Sequence, residues 1–258
     1  MNAHAKALWA LNGARLYVLA SEVMPGSTGI VEVPAPTFLI ETDDGLVLVD
    51  TGLSPRAVND EDAVYGDLKP YVVSKMTRDQ GVDAQLATIG KFIGDVTHVI
   101  ISHSHFDHTG GLHLFPHATL VMNVHEWHYL QQQPESDRGP IRRADFSDIA
   151  ESQLLLFDGD HDLFGDGAVT LLALPGHTPG NTGVLVRLPT RTMLLPMDTV
   201  HVRAAYDTEA VLAYDTDQQQ ARESIRRVKS LAIDTGAEVW IGHDIEDWRR
   251  YKAPGRYT

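Results

Sequence analysis

Six consecutive residues, His103-Ser104-His105-Phe106-Asp107-His108, follow the apolar run Val99-Ile100-Ile101 and precede the pair Gly110-Gly111. The apolar run reads as a buried strand. Strand side chains alternate with a period of two, so its carboxyl end sends His103 and His105 to one face. Asp107 and His108 fall in the turn that follows, and the glycine pair lets the backbone bend tightly into a helix. Imidazole nitrogen and carboxylate oxygen both suit a borderline divalent cation such as zinc. A lone His-x-His would read as two surface histidines in a turn; the added Asp107 and His108 after an apolar strand argue for metal binding.

The same design of apolar strand and polar tip recurs along the chain. Residues 46–50 end in Asp50-Thr51-Gly52, an acid leaving a buried strand into a glycine turn. Residues 169–174 lead into Pro175-Gly176-His177-Thr178-Pro179-Gly180, a bounded turn that presents His177 at its tip and is hard to explain as packing. Residues 192–197 end in Asp198, and a last buried strand at 238–244 carries His243 after Gly242. His113, His117, His125 and His128 are loosely spaced and read as surface or packing residues.

The elements that must hold these tips are legible as alternating strands and helices. A first strand is expected at residues 15–20, then a hairpin of 37–41 with 46–50 around Thr42-Asp43-Asp44-Gly45. Residues 84–92 show helical spacing at Leu86, Ile89 and Ile93 and lead into the strand 96–101, a βαβ-like approach. A strand at 119–122 and an amphipathic stretch at 124–131 follow. Residues 182–188 pair with 192–197. The longest helix is expected at 216–234, with Ile225, Val228 and Leu231 on one face and Arg226, Arg227 and Lys229 on a solvated one. Residues 53–79 are polar and aperiodic and read as a long loop of functional length. Residues 133–147, rich in charge and with Pro134 and Pro140, read as a solvated insertion.

The whole 258 residues read as one α/β domain with a large core. A net charge of −14 and a pI near 5.2 exclude nucleic acid or an anionic membrane as a general partner. The chain has no cysteine, so disulfides and thiolate ligands are excluded. No stretch approaches the roughly 20 apolar residues of a membrane span, and residues 1–10 lack the pattern of an export signal. A cytoplasmic protein is expected.

His103-Ser104-His105-Phe106-Asp107-His108 resembles the signature of the metallo-β-lactamase superfamily. The resemblance implies an αβ/βα sandwich, two mixed β-sheets face to face with helices outside. Carried over to this sequence, it makes His103, His105 and His177 the ligands of one divalent metal and Asp107, His108 and His243 those of another. Asp198 bridges them, and zinc is the default. It casts Asp50 as a buttress behind the metal loop. Within the superfamily, His105-Phe106-Asp107-His108 and Gly242-His243-Asp244-Ile245-Glu246, with the region from Asp50 to Thr77, look most like the N-acyl homoserine lactonases. The similarity spans about Pro36 to Glu246.

The resemblance further implies a quorum-quenching lactonase, in which a metal-bridging hydroxide attacks the ring carbonyl and Asp107 shuttles the proton. Phe106, Tyr65, Leu68 and Tyr71 would face the acyl chain. Those lactonases often carry a tyrosine three residues after the bridging acid; this chain has His201, which can also donate to the carbonyl. The expected partner is a small lactone, and a homodimer is compatible with the sequence. A lactonase for another small lactone such as 4-pyridoxolactone is the alternative. A glyoxalase II-type thioesterase fits less well, since only fifteen residues remain after His243 for a glutathione-binding domain.

Overall fold

The long strands are apolar almost without interruption, so both faces of each sheet need a cover, which a four-layer stack provides. The computed structural model describes residues 3–134 and 139–258. A seven-stranded sheet runs in the order Gly255–Tyr257, Ala7–Leu11, Thr37–Glu41, Leu46–Val49, Val96–Ile100, Thr119–Asn123, Leu154–Phe157. It is antiparallel as far as Leu46–Val49 and parallel beyond. A five-stranded sheet runs His161–Asp162, Val169–Ala173, Thr182–Arg187, Thr192–Leu195, Glu238–Val239, with only the last pair parallel.

These two sheets pack face to face. Phe38, Ile40, Val47, Val49 and Ile100 from the first share one buried cluster with Val169, Leu171, Val184 and Val186 from the second. Side chains at the intervening positions point the other way. Leu39, Leu48 and Val99 meet Leu86 of helix Val82–Thr88 and Leu130 of helix Val124–Gln132. Leu172, Leu185 and Leu194 meet Ile225 and Val228 of helix Gln218–Thr235. Each such side chain contributes roughly 1.5–3 kcal/mol when fully buried. The expected αβ/βα arrangement is therefore present.

A third sheet, absent from the sequence reading, pairs Ile30–Pro34, Arg15–Leu19 and Val72–Lys75 antiparallel. Leu16, Val18 and Val33 on its inner face pack with Leu53, Leu68 and Phe106. The stretch 53–79 is thus not one loop. It forms a short 3-10 helix Pro55–Val58, a helix Glu61–Tyr65 capped by the Asp60 side chain, and the strand Val72–Lys75. These pieces are too short for a helical or strand period to show. The first strand is Ala7–Leu11, not 15–20. Its Ala-Leu-Trp-Ala-Leu sequence has no β-branched residue, and pairing with strands on both sides decides its state. The insertion at 133–147 is not simply solvated: Ile141, Arg142 and Phe146 are buried, while residues 135–138 lie outside the described residues. The last strand is only Glu238–Val239, and 240–244 continue without strand pairing.

The glycine pair also acts differently from expectation. The helix, Phe106–Thr109, comes before it and carries Asp107 and His108, with His103 and His105 just ahead of it. Gly110 is right-handed, with φ near −59°. A Cβ on Gly110 would lie 2.2 Å from the Ser54 nitrogen, and one on Gly111 would lie 2.7 Å from the Thr51 carbonyl oxygen. The pair lets the ligand helix press against the Asp50–Ser54 loop.

Candidate metal centre

The ligand candidates all leave strand ends on the same edge of the sandwich. His103, His105, Asp107 and His108 follow Val96–Ile100; His177, Asp198 and His243 follow Val169–Ala173, Thr192–Leu195 and Glu238–Val239. Their ligand atoms form overlapping groups within 4.8 Å: His103, His105 and His177; His103, His108 and Asp198; Asp107, His108 and His243.

Asp198 sits at the centre and divides the cluster. Its Oδ2 lies 3.7 Å from His103 Nε2 and 3.8 Å from His177 Nε2. Its Oδ1 lies 3.4 Å from His108 Nε2 and 3.1 Å from His243 Nε2. Asp107 Oδ2 is 3.6 Å from both His108 Nε2 and His243 Nε2. Ligands held tetrahedrally at about 2.1 Å from a cation stand roughly 3.4 Å apart, which is this spacing. His103 Nε2 and His108 Nε2 are buried without a hydrogen-bond partner, although a buried ring nitrogen is costly to leave unpaired. The donor set fits two divalent cations.

The electrostatics agree. Burial, then the neighbouring imidazoles, holds His103 and His105 well below the usual histidine range, so both rings are neutral and their lone pairs are open to a cation. Burial opposes charge on His108 and His243 too, but Asp107 and Asp198 outweigh it; His108 is pushed well up and His243 to about 9. For Asp198, burial disfavours the carboxylate, yet His243, His108 and His201 hold it far below the usual range. Asp107 and Asp198 thus favour positive charge on the His108 and His243 side of the centre.

A second layer fixes the rings. Asp50, fully buried, accepts hydrogen bonds from the Ser102 nitrogen and hydroxyl at 2.8 Å and pairs with His108 Nδ1 at 2.7 Å. This is the buttress the sequence resemblance implied. Asp50 sits at φ 58° and Met197, just before Asp198, at φ 49°. Such left-handed non-glycine residues cost about 1–3 kcal/mol unless their surroundings impose them, and cluster at functional sites. His243 Nδ1 meets the Pro34 carbonyl at 2.6 Å. Asp215, which the sequence reading missed, meets His177 Nδ1 at 3.0 Å. Each contact leaves Nε2 to face the centre.

The centre opens into a cavity of about 620 Å³. Phe106, Leu68 and Tyr71 line it, with Leu16, Val18 and Val72 of the small sheet. Tyr65 does not line it. Its ring packs edge-on against Phe106 at 5.1 Å, its hydroxyl accepts a hydrogen bond from the Ser54 nitrogen, and it lies 4% exposed behind the wall. His201 lines the cavity, but its Nε2 is turned to Asp198 Oδ2 at 3.1 Å. Tyr214, also missed, places its hydroxyl 3.5 Å from the same nitrogen while donating to the Glu22 carbonyl. Nothing periodic marks Tyr214 or Asp215 in the sequence. His113 is half-buried and His117, His125 and His128 are exposed, away from the cluster.

Residues 30–243 match the family model described as the metallo-beta-lactamase superfamily. The N-acyl homoserine lactonase AttM of Azorhizobium caulinodans is 32% identical over 258 residues, covering 94% of this chain and 98% of that protein. The chain belongs to the metallo-β-lactamase superfamily, in its N-acyl homoserine lactonase family. Another lactonase of that family, AiiA of Bacillus thuringiensis subsp. kurstaki, is 28% identical over 228 residues, 88% of this chain and 86% of its own. Among solved structures, an N-acyl homoserine lactone hydrolase with N-hexanoyl-L-homoserine at its catalytic metal centre superposes with a TM-score of 0.85. It is 26% identical and covers 96% of this chain and 97% of its own. No described helix of this superfamily member is long and apolar enough to cross a membrane.

Proposed function

We propose that this chain opens the ester ring of N-acyl homoserine lactones by hydrolysis, adding water to the ring carbonyl and releasing the ring oxygen as an alcohol. The observation that carries this reading is the divided Asp198 carboxylate at the floor of an apolar cavity. His103, His105 and His177 with Asp198 Oδ2 would hold one cation, and Asp107, His108 and His243 with Oδ1 the other. Two divalent cations bound there, zinc by default for this nitrogen and oxygen set, would supply Lewis acidity and a water acidic enough to ionise near neutral pH.

The remaining tasks fall to the chain itself. Asp107 lines the cavity beside His108 and His243, where its carboxylate can carry a proton to the leaving alkoxide. His201 stands on the wall beside Asp198 with Tyr214 next to it, and we assign to His201 the polarisation of the substrate carbonyl. Tyr214 is 44% exposed, but desolvation of its hydroxyl end, then Asp198 and Asp215, keeps its phenol protonated, with its O–H donated to the Glu22 carbonyl. Phe106, Leu68, Val18 and Val72 offer the acyl chain an apolar wall, and Tyr65 holds Phe106 in place.

Acid release in weakly buffered solution tests the substrate class. It is expected to be fast with acyl homoserine lactones and slow with penicillins, glutathione thioesters and phosphodiesters. Longer tails should lower KM, by up to about 0.8 kcal/mol for each methylene fully buried. Opening of 4-pyridoxolactone without action on homoserine lactones would move the assignment to that substrate, and preference for thioesters would end the lactonase reading.

A further inference from the structure

Glu126 lies on helix Val124–Gln132, outside the ligand cluster, and its residue is 0% exposed. A carboxyl group is seldom buried so completely without partners, and this one has three. Its Oε1 accepts hydrogen bonds from the Ser104 nitrogen at 2.9 Å and the Ser104 hydroxyl at 2.6 Å, and its Oε2 accepts from the Gly180 nitrogen at 3.1 Å. Ser104 stands between His103 and His105. Gly180 closes the turn that presents His177. The approach is close enough that a Cβ on Gly180 would lie 2.2 Å from the Glu126 nitrogen, so this turn and the helix are built to touch.

We infer that Glu126 is a positioning residue that sets the gap between the two loops supplying the three-histidine half of the centre. His103 and His105 leave the seven-stranded sheet, whereas His177 leaves the five-stranded one. The sheets meet mainly through apolar side chains, which restrain distance loosely compared with hydrogen bonds of fixed length and direction, and one backbone bond, from the Thr182 nitrogen to the Ser102 carbonyl at 2.9 Å, joins them at the base of these loops. Beyond that tie, the Glu126 carboxylate spans both loops further out, at Ser104 and Gly180, and holds their separation to within a hydrogen-bond length. His177 Nε2 stands 3.1 Å from His105 Nδ1. The Asp107, His108 and His243 half has no contact with Glu126 and is set by Asp50 and the Pro34 carbonyl instead.

The inference rests on the ligand assignment proposed above, and zinc release separates the two. Wild-type protein and Glu126→Gln, each loaded with two equivalents of zinc, are mixed with a chelating dye and release is followed over time. A glutamine can keep the two Ser104 bonds through its carbonyl but turns an N–H group toward the Gly180 nitrogen, cutting the tie to the His177 turn. One of the two zincs should then leave roughly ten to a hundred times faster, the effect of losing a group that orients a ligand, while the other leaves at the wild-type rate. Ser104→Ala, which removes only the hydroxyl bond, should fall between the two and serves if Glu126→Gln folds poorly by circular dichroism. With cobalt in place of zinc, the visible absorption of one site should shift in the variant. Wild-type protein that takes up fewer than two zincs overturns the ligand assignment and this inference with it. Two zincs in the wild type, with release rates and cobalt spectra unchanged in both variants, overturn the role of Glu126 alone.

Discussion

Asp198 is the residue on which the centre turns, because each of its oxygens faces a different group of imidazoles. Asp198→Ala should lower bound metal from near two per chain, measured by elemental analysis after growth in zinc medium. Retention of two would remove the bridge from the scheme. His201 differs in kind, since it adds a donor at the wall. His201→Ala should reduce kcat roughly tenfold to a thousandfold, the scale of losing one oxyanion donor, at unchanged metal content. Turnover equal to wild type would remove His201 from this role. Asp215→Asn should weaken zinc binding by roughly ten to a hundredfold through the His177 ring, which competition with a chelator would reveal.

At the scale of elements, the cavity owes its outer wall to a clasp. Asp67, in the turn after helix Glu61–Tyr65, takes 2.8 and 2.6 Å hydrogen bonds from Arg142 and the Gly139 nitrogen. Arg142 in turn lies 5.3 Å over the Tyr65 ring, and the Pro140 carbonyl accepts a hydrogen bond from the Phe106 nitrogen. Burial alone would raise the Asp67 carboxyl, but the Arg142 and Gly139 bonds outweigh it and hold it below the usual range. A carboxyl held low when folded stabilises above its unfolded pKa, and that stability fades as pH falls through the folded value. The Asp67 side chain is 22% exposed, so Asp67→Asn should cost only about 0.5–1.5 kcal/mol at pH 7. Thermal melts across pH should show the gap between the two proteins closing below about pH 4. A constant gap down to pH 3 would mean the clasp contributes by shape, not charge.

For the whole molecule, the proposed ligands come from both large sheets, so cations bound there would tie the two halves of the sandwich together. Anything bound to the folded state alone stabilises it, by about 4 kcal/mol at a thousand times Kd. In a chain of this size that corresponds to roughly 10 °C in Tm. Chelator-treated protein should therefore melt well below zinc-loaded protein by calorimetry, and equal melting temperatures would contradict metals shared between the sheets.

The primary sequence determined the chemistry and the layering. His103 to His108, His177, Asp198 and His243 are each marked by a local signal, an apolar run that stops at a donor, and local signals survive without coordinates. The same holds for the hairpin of Thr37–Glu41 with Leu46–Val49 and for helix Gln218–Thr235, long enough for their periods to show. Asp50 was readable for the same reason. Only the tertiary structure decided what stands behind and above the metals. Strand Ala7–Leu11 is a strand because its neighbours pair with it, and of the small sheet only the strand Arg15–Leu19 was legible; Ile30–Pro34 and Val72–Lys75 are strands because they pair with it. Asp215, Tyr214 and Glu126 gain their places from loops that meet across the gap between sheets. Residues distant along the chain become partners there through packing, and no spacing within a single element encodes that.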